Sequence, residues 1–353
     1  MSLKDFRDKI DQIDKKIVSM LNKRAKLSLN IGKHKLKNKK TIYAPDREKQ
    51  VFKRVKSFND GPMTDNALEA VYREIMSSSL SLEKSLKIAY LGPMASFTHL
   101  AAQKKFGSQI DYVPFGDIAE VFRQVENGYC DYGVVPIENS IEGAVTHTFD
   151  LLVDSEIKIC SQVLLEISHN LMSKTDLKSI KKIYSHPQVF AQCRHWLQNN
   201  FTNVELIGVP STTKAAQIAA KEKGAACIAS HLAAKVYDMK IIKKDIEDLA
   251  HNITRFLVIA NNDVPPTGKD QTSILFSIKD RVGALHDMLI PFTKNGINLT
   301  KIESRPSKKC AWDYYFFVDF EGHKEDEKVK KALIQLEELC KYLKILGSYP
   351  MLP

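Results

Sequence analysis

The sequence predicts a multidomain protein: an all-α amino-terminal region, a two-lobed α/β body and a small α+β carboxy-terminal domain. Three observations predict it. Over residues 3–31, apolar side chains recur at the three- and four-residue spacing of a helical seam. From Lys87 onward, short apolar runs alternate with helix-like segments, as in parallel α/β units. After a Pro- and Gly-bearing stretch at residues 263–268, the order becomes strand, helix, strand, strand, helix, strand, which is the ferredoxin-like plan. The expected boundaries are 1–86, 87–262 and 270–353.

At 353 residues the chain can bury two or three separate cores. Its 44% hydrophobic and 27% charged content is that of a globular protein and excludes disordered or fibrous classes. No run of about 18 apolar residues occurs, and the start, Met1-Ser2-Leu3-Lys4-Asp5-Phe6-Arg7, lacks an apolar signal region, so a cytoplasmic protein is expected. The six cysteines (130, 160, 193, 227, 310 and 340) contain no Cys-x-x-Cys and read as reduced thiols. The net charge of +10 is uneven: the first 86 residues carry 20 Lys and Arg against 11 Asp and Glu. Basic helices suit either a nucleic acid or a small, multiply charged anion.

The first region is apolar at Leu3, Phe6, Ile10, Ile13, Ile17, Met20, Leu27 and Ile31, and the gap in that seam is filled by Arg24. Lys35 lies eleven residues later, three turns on and on nearly the same face. A cation in an apolar seam is costly unless something negative meets it, either a buried acid or an anionic ligand. The helix is expected to run to Lys40, about 60 Å at 1.5 Å per residue. Two shorter helices follow at 45–57 and 64–84, parted by the turn Asn59-Asp60-Gly61-Pro62. Three helices of such unequal length leave the seam uncovered within one chain, so an intertwined dimer is expected. The stripe Leu68, Tyr72, Ile75, Met76 of the third helix runs on into Ser79 and Glu83.

In the body, strands are expected at 87–92, 110–114, 132–137, 183–185, 204–209 and 225–229, and helices at 97–106, 117–127 and 142–153. Residues 160–171 and 252–260 are the expected crossings between lobes. Ligands of such folds bind beyond the strand ends, where helices begin and free N–H groups favour anions. Four polar clusters fall there: Ser96-Phe97-Thr98, Glu138-Asn139-Ser140, Ser185-His186-Pro187-Gln188 and Asn252-Ile253-Thr254-Arg255-Phe256. Ser211-Thr212-Thr213 is a fifth, and any one of them alone is also an ordinary helix cap. The last of the four packs an amide, a hydroxyl and a guanidinium at the mouth of a buried strand. No Gly-x-Ser-x-Gly elbow, phosphate loop or Gly-x-Gly-x-x-Gly fingerprint is present. The carboxy-terminal elements are expected at 272–278, 284–295, 297–303, 312–320, 325–342 and 343–347.

These residues resemble the bifunctional chorismate mutase–prephenate dehydratases along essentially the whole chain. The basic helical seam is similar to all-helical chorismate mutases, and the matching positions are Arg7, Arg24, Lys35, Arg47, Glu48, Ser79 and Glu83. The resemblance implies a pericyclic rearrangement of a dicarboxylate, needing no metal, cofactor or nucleophile. Arginines would clamp the carboxylates and Lys35 would reach the breaking ether oxygen. Glu83 stands where some relatives carry Gln, so to donate there it would have to keep its proton through burial. Arg7 lies about 25 Å along the helix from Arg24 and would serve a partner's site.

Asn-x-Thr-Arg-Phe, with Glu138-Asn139-Ser140, Ser185-His186-Pro187-Gln188 and Gly92-Pro93, resembles prephenate dehydratases and their periplasmic-binding-protein-like lobes. The resemblance gives Thr254 the part closest to catalysis, and places Ser96, Thr98, Asn139, Ser140, Ser185, Gln188, Arg255 and Phe256 around the substrate. Arg255 would either hold a carboxylate or brace the lobe. Gly283-Ala284-Leu285 and Glu303-Ser304-Arg305-Pro306 resemble the phenylalanine-binding motifs of ACT domains, which implies feedback inhibition. The sequence departs from these patterns at Ala44, Ala95 and Val282, where relatives carry Asp, Gly and Pro. The rival reading is an amino-acid-responsive DNA-binding regulator, disfavoured because Arg24 and Lys35 occupy apolar positions instead of an exposed face. A solute-binding protein is disfavoured by the absent signal region.

Overall fold

A computed structural model describes residues 1–38, 43–278, 281–307 and 313–352. The expected helix end at Lys40, the expected strand start at Trp312, and Cys310 lie outside them. The chain divides into two compact units: residues 1–87 with 106–111, and residues 88–105 with 112–353.

The first unit is helical. α1 (Leu3–Lys37) opens with a capping box, in which Ser2 Oγ accepts the Asp5 N–H and the Asp5 carboxylate accepts the Ser2 N–H. α2 (Pro45–Ser57) has proline at its first position, and α3 (Asp65–Glu83) is capped by Thr64. The apolar seam of α1 stays in water: Leu3, Phe6, Ile10, Ile13, Ile17, Met20, Leu27 and Ile31 are each about half exposed or more. The buried positions of α1 are Ser28 and Gly32. A Cβ at Gly32 would fall 2.9 Å from the Glu83 Cβ, so the missing side chain is what lets α3 cross α1 this closely.

The second unit contains three sheets. In the first lobe lie β1 (Lys87–Leu91), α4 (Phe97–Phe106), β2 (Asp111–Phe115), α5 (Ile118–Glu126), β3 (Tyr132–Asn139), β4 (Gly143–Ala144) and α6 (Thr146–Asp154). The chain crosses through β5 (Lys158–Glu166) into β6 (Asn170–Ser173). The second lobe adds β7 (Lys182–Ser185), α7 (Pro187–Gln192), α8 (Arg194–Asn200), β8 (Glu205–Gly208), α9 (Thr212–Ala219), β9 (Ala225–Ala229), α10 (His231–Val236) and β10 (Lys240–Lys243). β11 (Ile253–Ala260) is the return. The sheet orders are β2-β1-β3-β11-β5 and β10-β6-β9-β7-β8.

Parallel pairing holds within each lobe, for β1 with β3 and for β7 with β8 and β9. The returning strand β11 lies between β3 and β5 and pairs antiparallel to both, because a chain that leaves a lobe and comes back must reverse. The helix expected at 142–153 begins only at Thr146, since Gly143–Ala144 instead pairs with the end of β3.

The carboxy-terminal part is β12 (Asp270–Ile278), α11 (Ala284–Lys294), β13 (Leu299–Pro306), β14 (Tyr314–Glu321), α12 (Glu327–Leu339) and β15 (Cys340–Pro350), in the sheet order β13-β14-β12-β15. Its strand–helix order is the expected one. It does not stand apart from the body: Leu275, Phe317 and Leu346 share one core with Val135, Phe149 and Leu152. Among the described residues no helix is long and apolar enough to cross a membrane.

Replacing a helical glycine by alanine ordinarily stabilises by about 1 kcal/mol. At Gly32 the new methyl meets the backbone of α3, and overpacking of this kind costs about 1–3 kcal/mol. Gly32→Ala is therefore expected to lower the unfolding temperature of the helical unit, read by far-UV circular dichroism; an increase would show that the crossing yields easily.

Candidate active sites and the strand that joins two of them

In the helical unit the unusual cations find partners on α3. Arg24 Nη1 donates to Ser79 Oγ at 2.5 Å, and Ser79 Oγ donates in turn to the Ile75 carbonyl at 2.8 Å. Lys35 Nζ stands 3.4 Å from Glu83 Oε2, with the glutamate side chain only 8% exposed. Both cations are half-buried. Ser79 and Glu83 lie one turn apart on α3, and the long side chains of Arg24 and Lys35, three turns apart on α1, reach in to them. Glu48 accepts a hydrogen bond from Tyr43 Oη at 2.7 Å, and Arg47 donates to Gln50. Arg7 lies exposed on the first turns of α1.

The body concentrates its polar groups where β3 ends and β11 begins. Thr254 pairs with Asn139 across the two strands, and Asn139 Nδ2 donates both to Thr254 Oγ1, at 2.8 Å, and to Asn252 Oδ1, at 2.7 Å. Asn139 Oδ1 accepts the N–H groups of Ile141 and Glu142, both at 3.0 Å. Ser140 closes the turn, with Oγ donating to the His251 carbonyl and accepting the Ile253 N–H. His251 and Ala95 both take positive φ, 69° in each case, so the two segments flanking these clusters carry backbone that ordinary side chains enter at a cost. Ala95 thus follows the path on which relatives use glycine.

The remaining expected residues divide. Ser96 Oγ donates to the Leu91 carbonyl and receives the His99 N–H, so it caps the start of α4, in which Thr98 is buried. Gln188 is exposed at the start of α7. Phe256 is core, at 2% exposure. Ser185 is fully buried and its hydroxyl donates to the Ile228 carbonyl, which removes it from ligand contact and from any role as a nucleophile.

Arg255 takes the bracing alternative over the carboxylate-holding one. The strand pleat turns it away from Thr254, and its guanidinium donates to Gln162 Oε1 (2.7 Å), Asp319 Oδ2 (2.7 Å) and Tyr349 Oη (3.1 Å). Asp319 also accepts from Ser273 at 2.5 Å. Burial raises the Tyr349 pKa, so the phenol stays neutral and Asp319 is the counter-charge of Arg255. A second bridge joins Lys301 of β13 to Glu138, at 2.6 Å, on the residue beside Asn139.

Sequence reasoning missed Gln162, Asp319 and Lys301, which have no signature because their partners lie in other segments. It also missed Gln192 and His169. Gln192 falls one turn after Gln188, a spacing that marks a shared helix face. Buried His169 sits between Ser168 and Asn170 and carries no such mark.

In the carboxy-terminal part Gly283 is left-handed (φ 78°) at the start of α11, where bare N–H groups face outward. Val282, in the place where relatives carry proline, is fully exposed. Ala284 is buried and Leu285 half exposed. Glu303, Ser304 and Arg305 lie on the edge strand β13, and Arg305 approaches Asp150 at 4.0 Å.

Comparison with known proteins matches residues 6–84 to the family model of chorismate mutase type II, residues 88–264 to that of prephenate dehydratase, and residues 272–338 to that of the ACT domain. The chain is 50% identical over 353 residues to a bifunctional chorismate mutase/prephenate dehydratase of Aquifex aeolicus (strain VF5), covering 99% of this chain and 98% of that one. Among solved structures, a prephenate dehydratase of Arthrobacter aurescens in complex with L-Phe is 30% identical with a TM-score of 0.69, covering 75% of this chain and 90% of that one. GqqA, described as a novel type of quorum quenching acylase, is 26% identical with a TM-score of 0.70, covering 76% and 98%.

Losing one member of a buried ion pair costs about 3–5 kcal/mol, because the other charge is left without a partner. Arg255→Ala is expected to destabilise the second unit by about that amount in urea unfolding. The double variant Arg255→Met, Asp319→Leu should recover much of it. A loss below about 1 kcal/mol would mean that water satisfies Asp319 just as well.

Proposed function

The chain belongs to the bifunctional chorismate mutase/prephenate dehydratase family, and on that premise we propose how its residues divide two consecutive reactions of phenylalanine biosynthesis. The protein is an isomerase and a carbon–oxygen lyase: it rearranges chorismate to prephenate, then removes carbon dioxide and water to give phenylpyruvate. Residues 1–86 carry the first reaction, 87–262 the second and 270–353 its regulation.

For the rearrangement, Arg24 and Arg47 hold the two carboxylates, with Ser79 keeping the Arg24 guanidinium aimed. Lys35 and Glu83 flank the breaking ether oxygen. These groups stabilise charge that grows only in the transition state and select the compact conformer. The exposed apolar seam of α1 supports a homodimer, in which the partner's helix covers that seam and Arg7 reaches across to the partner's site.

For the dehydration, the carrying observation is the bond from Asn139 Nδ2 to Thr254 Oγ1. A hydroxyl that accepts from an amide has its own hydrogen left to give, and Thr254 points it at the departing ring hydroxyl of prephenate, which leaves with that proton, replaced from solvent, or with one relayed through Thr254. Asn139, Ser140 and Gln188, with Ser96 and Thr98 at the start of α4, shape the pocket around the ring and the side-chain carboxylate. Loss of the ring carboxylate is driven by aromatisation and needs no metal.

Phenylalanine binds at Gly283, Ala284 and Leu285 and at Glu303, Ser304 and Arg305, between two carboxy-terminal domains of a dimer, and lowers the dehydratase rate. The L-Phe complex of the related dehydratase supports phenylalanine as the ligand. Five described cysteines are free thiols, in keeping with a cytoplasmic enzyme.

Purified protein given chorismate with EDTA and no cofactor is expected to release phenylpyruvate; prephenate accumulating without phenylpyruvate would remove the second activity. Thr254→Ala should lose about two orders of magnitude or more in dehydration and keep its mutase rate. Phenylalanine should slow dehydration, and Glu303→Ala should raise the concentration needed by roughly tenfold while leaving the uninhibited rate alone. Equal sensitivity of Glu303→Ala and the parent would move the effector site elsewhere.

A further inference from the structure

Asn139 uses its whole carboxamide. Two backbone N–H groups fill Oδ1, and the two Nδ2 hydrogens go to Asn252 Oδ1 and Thr254 Oγ1. Turning the amide over would set Nδ2 against two N–H donors, so its direction is determined, and with it the fact that Thr254 accepts. What keeps Asn252 facing Asn139 is a further set of contacts. Asn252 is 2% exposed, and its Nδ2 points to Gln192 Oε1 at 3.5 Å. Gln192 Oε1 also faces His169 Nε2 at 2.8 Å, while Gln192 Nε2 donates to Glu142 Oε1 at 3.1 Å. That donation sets Gln192 with its oxygen toward the histidine, so His169 carries its proton on Nε2. His169 is 1% exposed, burial holds its pKa below the ordinary value, and its ring meets Phe97 edge to face at 5.6 Å.

The contacts therefore run from His169, in the link between β5 and β6, through Gln192 at the end of α7 in the second lobe, to Asn252 and Asn139 on the first. They bring residues of all four sequence clusters, or their immediate helix neighbours, to one hydroxyl. Side-chain amides are poor proton carriers, so this is an orienting arrangement and not a relay.

We propose that His169, Gln192 and Asn252 are positioning residues for dehydration, holding the Asn139 carboxamide in the one orientation that leaves the Thr254 hydroxyl hydrogen free for the substrate. The proposal rests on the assignment of Thr254 made above.

The test uses the full chain and measures kcat and KM for prephenate, with the mutase rate and the unfolding temperature of each preparation as controls. Asn252→Leu and Gln192→Met should lose roughly 10- to 100-fold in kcat with KM little changed, the signature of lost orientation as opposed to lost binding. Asn252→Asp still offers an acceptor to Asn139 Nδ2 and should restore most of the rate that Asn252→Leu loses. Asn139→Asp has no hydrogen to give and would take that of Thr254 instead, so it should fall as far as Thr254→Ala. Wild-type kcat in both Asn252→Leu and Gln192→Met overturns the proposal, as does a loss confined to KM, or Asn252→Asp no better than Asn252→Leu. If Thr254→Ala itself keeps full dehydratase activity, the catalytic assignment fails first. The two failures are thus separable, and a variant that unfolds early is judged on the Asn252→Asp and Asn139→Asp pair.

Discussion

The pleat of β11 is the constraint from which most of the second unit follows. Successive side chains of a strand leave on opposite faces, so adjacent residues Thr254 and Arg255 cannot serve the same purpose. Thr254 turns to Asn139 and the polar mouth between the lobes, and Arg255 turns to the carboxy-terminal sheet. β11 is held on both edges, by β3 and by β5. Neither residue can rotate to the other face without breaking two ladders. The contact with Asn139 and the attachment of the carboxy-terminal sheet are thereby written into consecutive positions of one strand.

That arrangement explains how a regulatory domain can reach a distant reaction. The carboxy-terminal sheet touches the two strands of the site at the residues beside the reactive ones: Asp319 on Arg255, next to Thr254, and Lys301 on Glu138, next to Asn139. The Arg255–Asp319 bridge is largely out of water, where charge pairs are sensitive to small displacements. Regulation can act only through a state that changes such contacts, because an effector shifts an equilibrium no further than its differential affinity allows.

The helical unit solves a different electrostatic problem. Cations set in an apolar seam would be expensive, and the fold meets them with a hydroxyl and a carboxylate on the crossing helix instead of with lipid-like neighbours. Arg24 and Lys35 are thus held against α3. The apolar residues flanking them remain in water in the single chain.

The sequence alone determined the three-part architecture, because helical, strand and ferredoxin-like patterns are local periodicities readable within a few turns. It also determined the residue types at the sites: Arg24, Lys35 and Glu83 stand out against an apolar seam, and Asn139 and Thr254 stand at strand ends. It did not decide what those groups touch. Ser185 looked available and is spent on the Ile228 carbonyl, while Arg255 had two readings until Asp319, 64 residues away, gave it a partner. Gln192 and His169 acquire meaning only once their contact is formed in space. Periodicity is a property of neighbours in the chain, whereas charge pairing, hydroxyl direction and domain attachment belong to neighbours in space. Those were decided only when the strands paired.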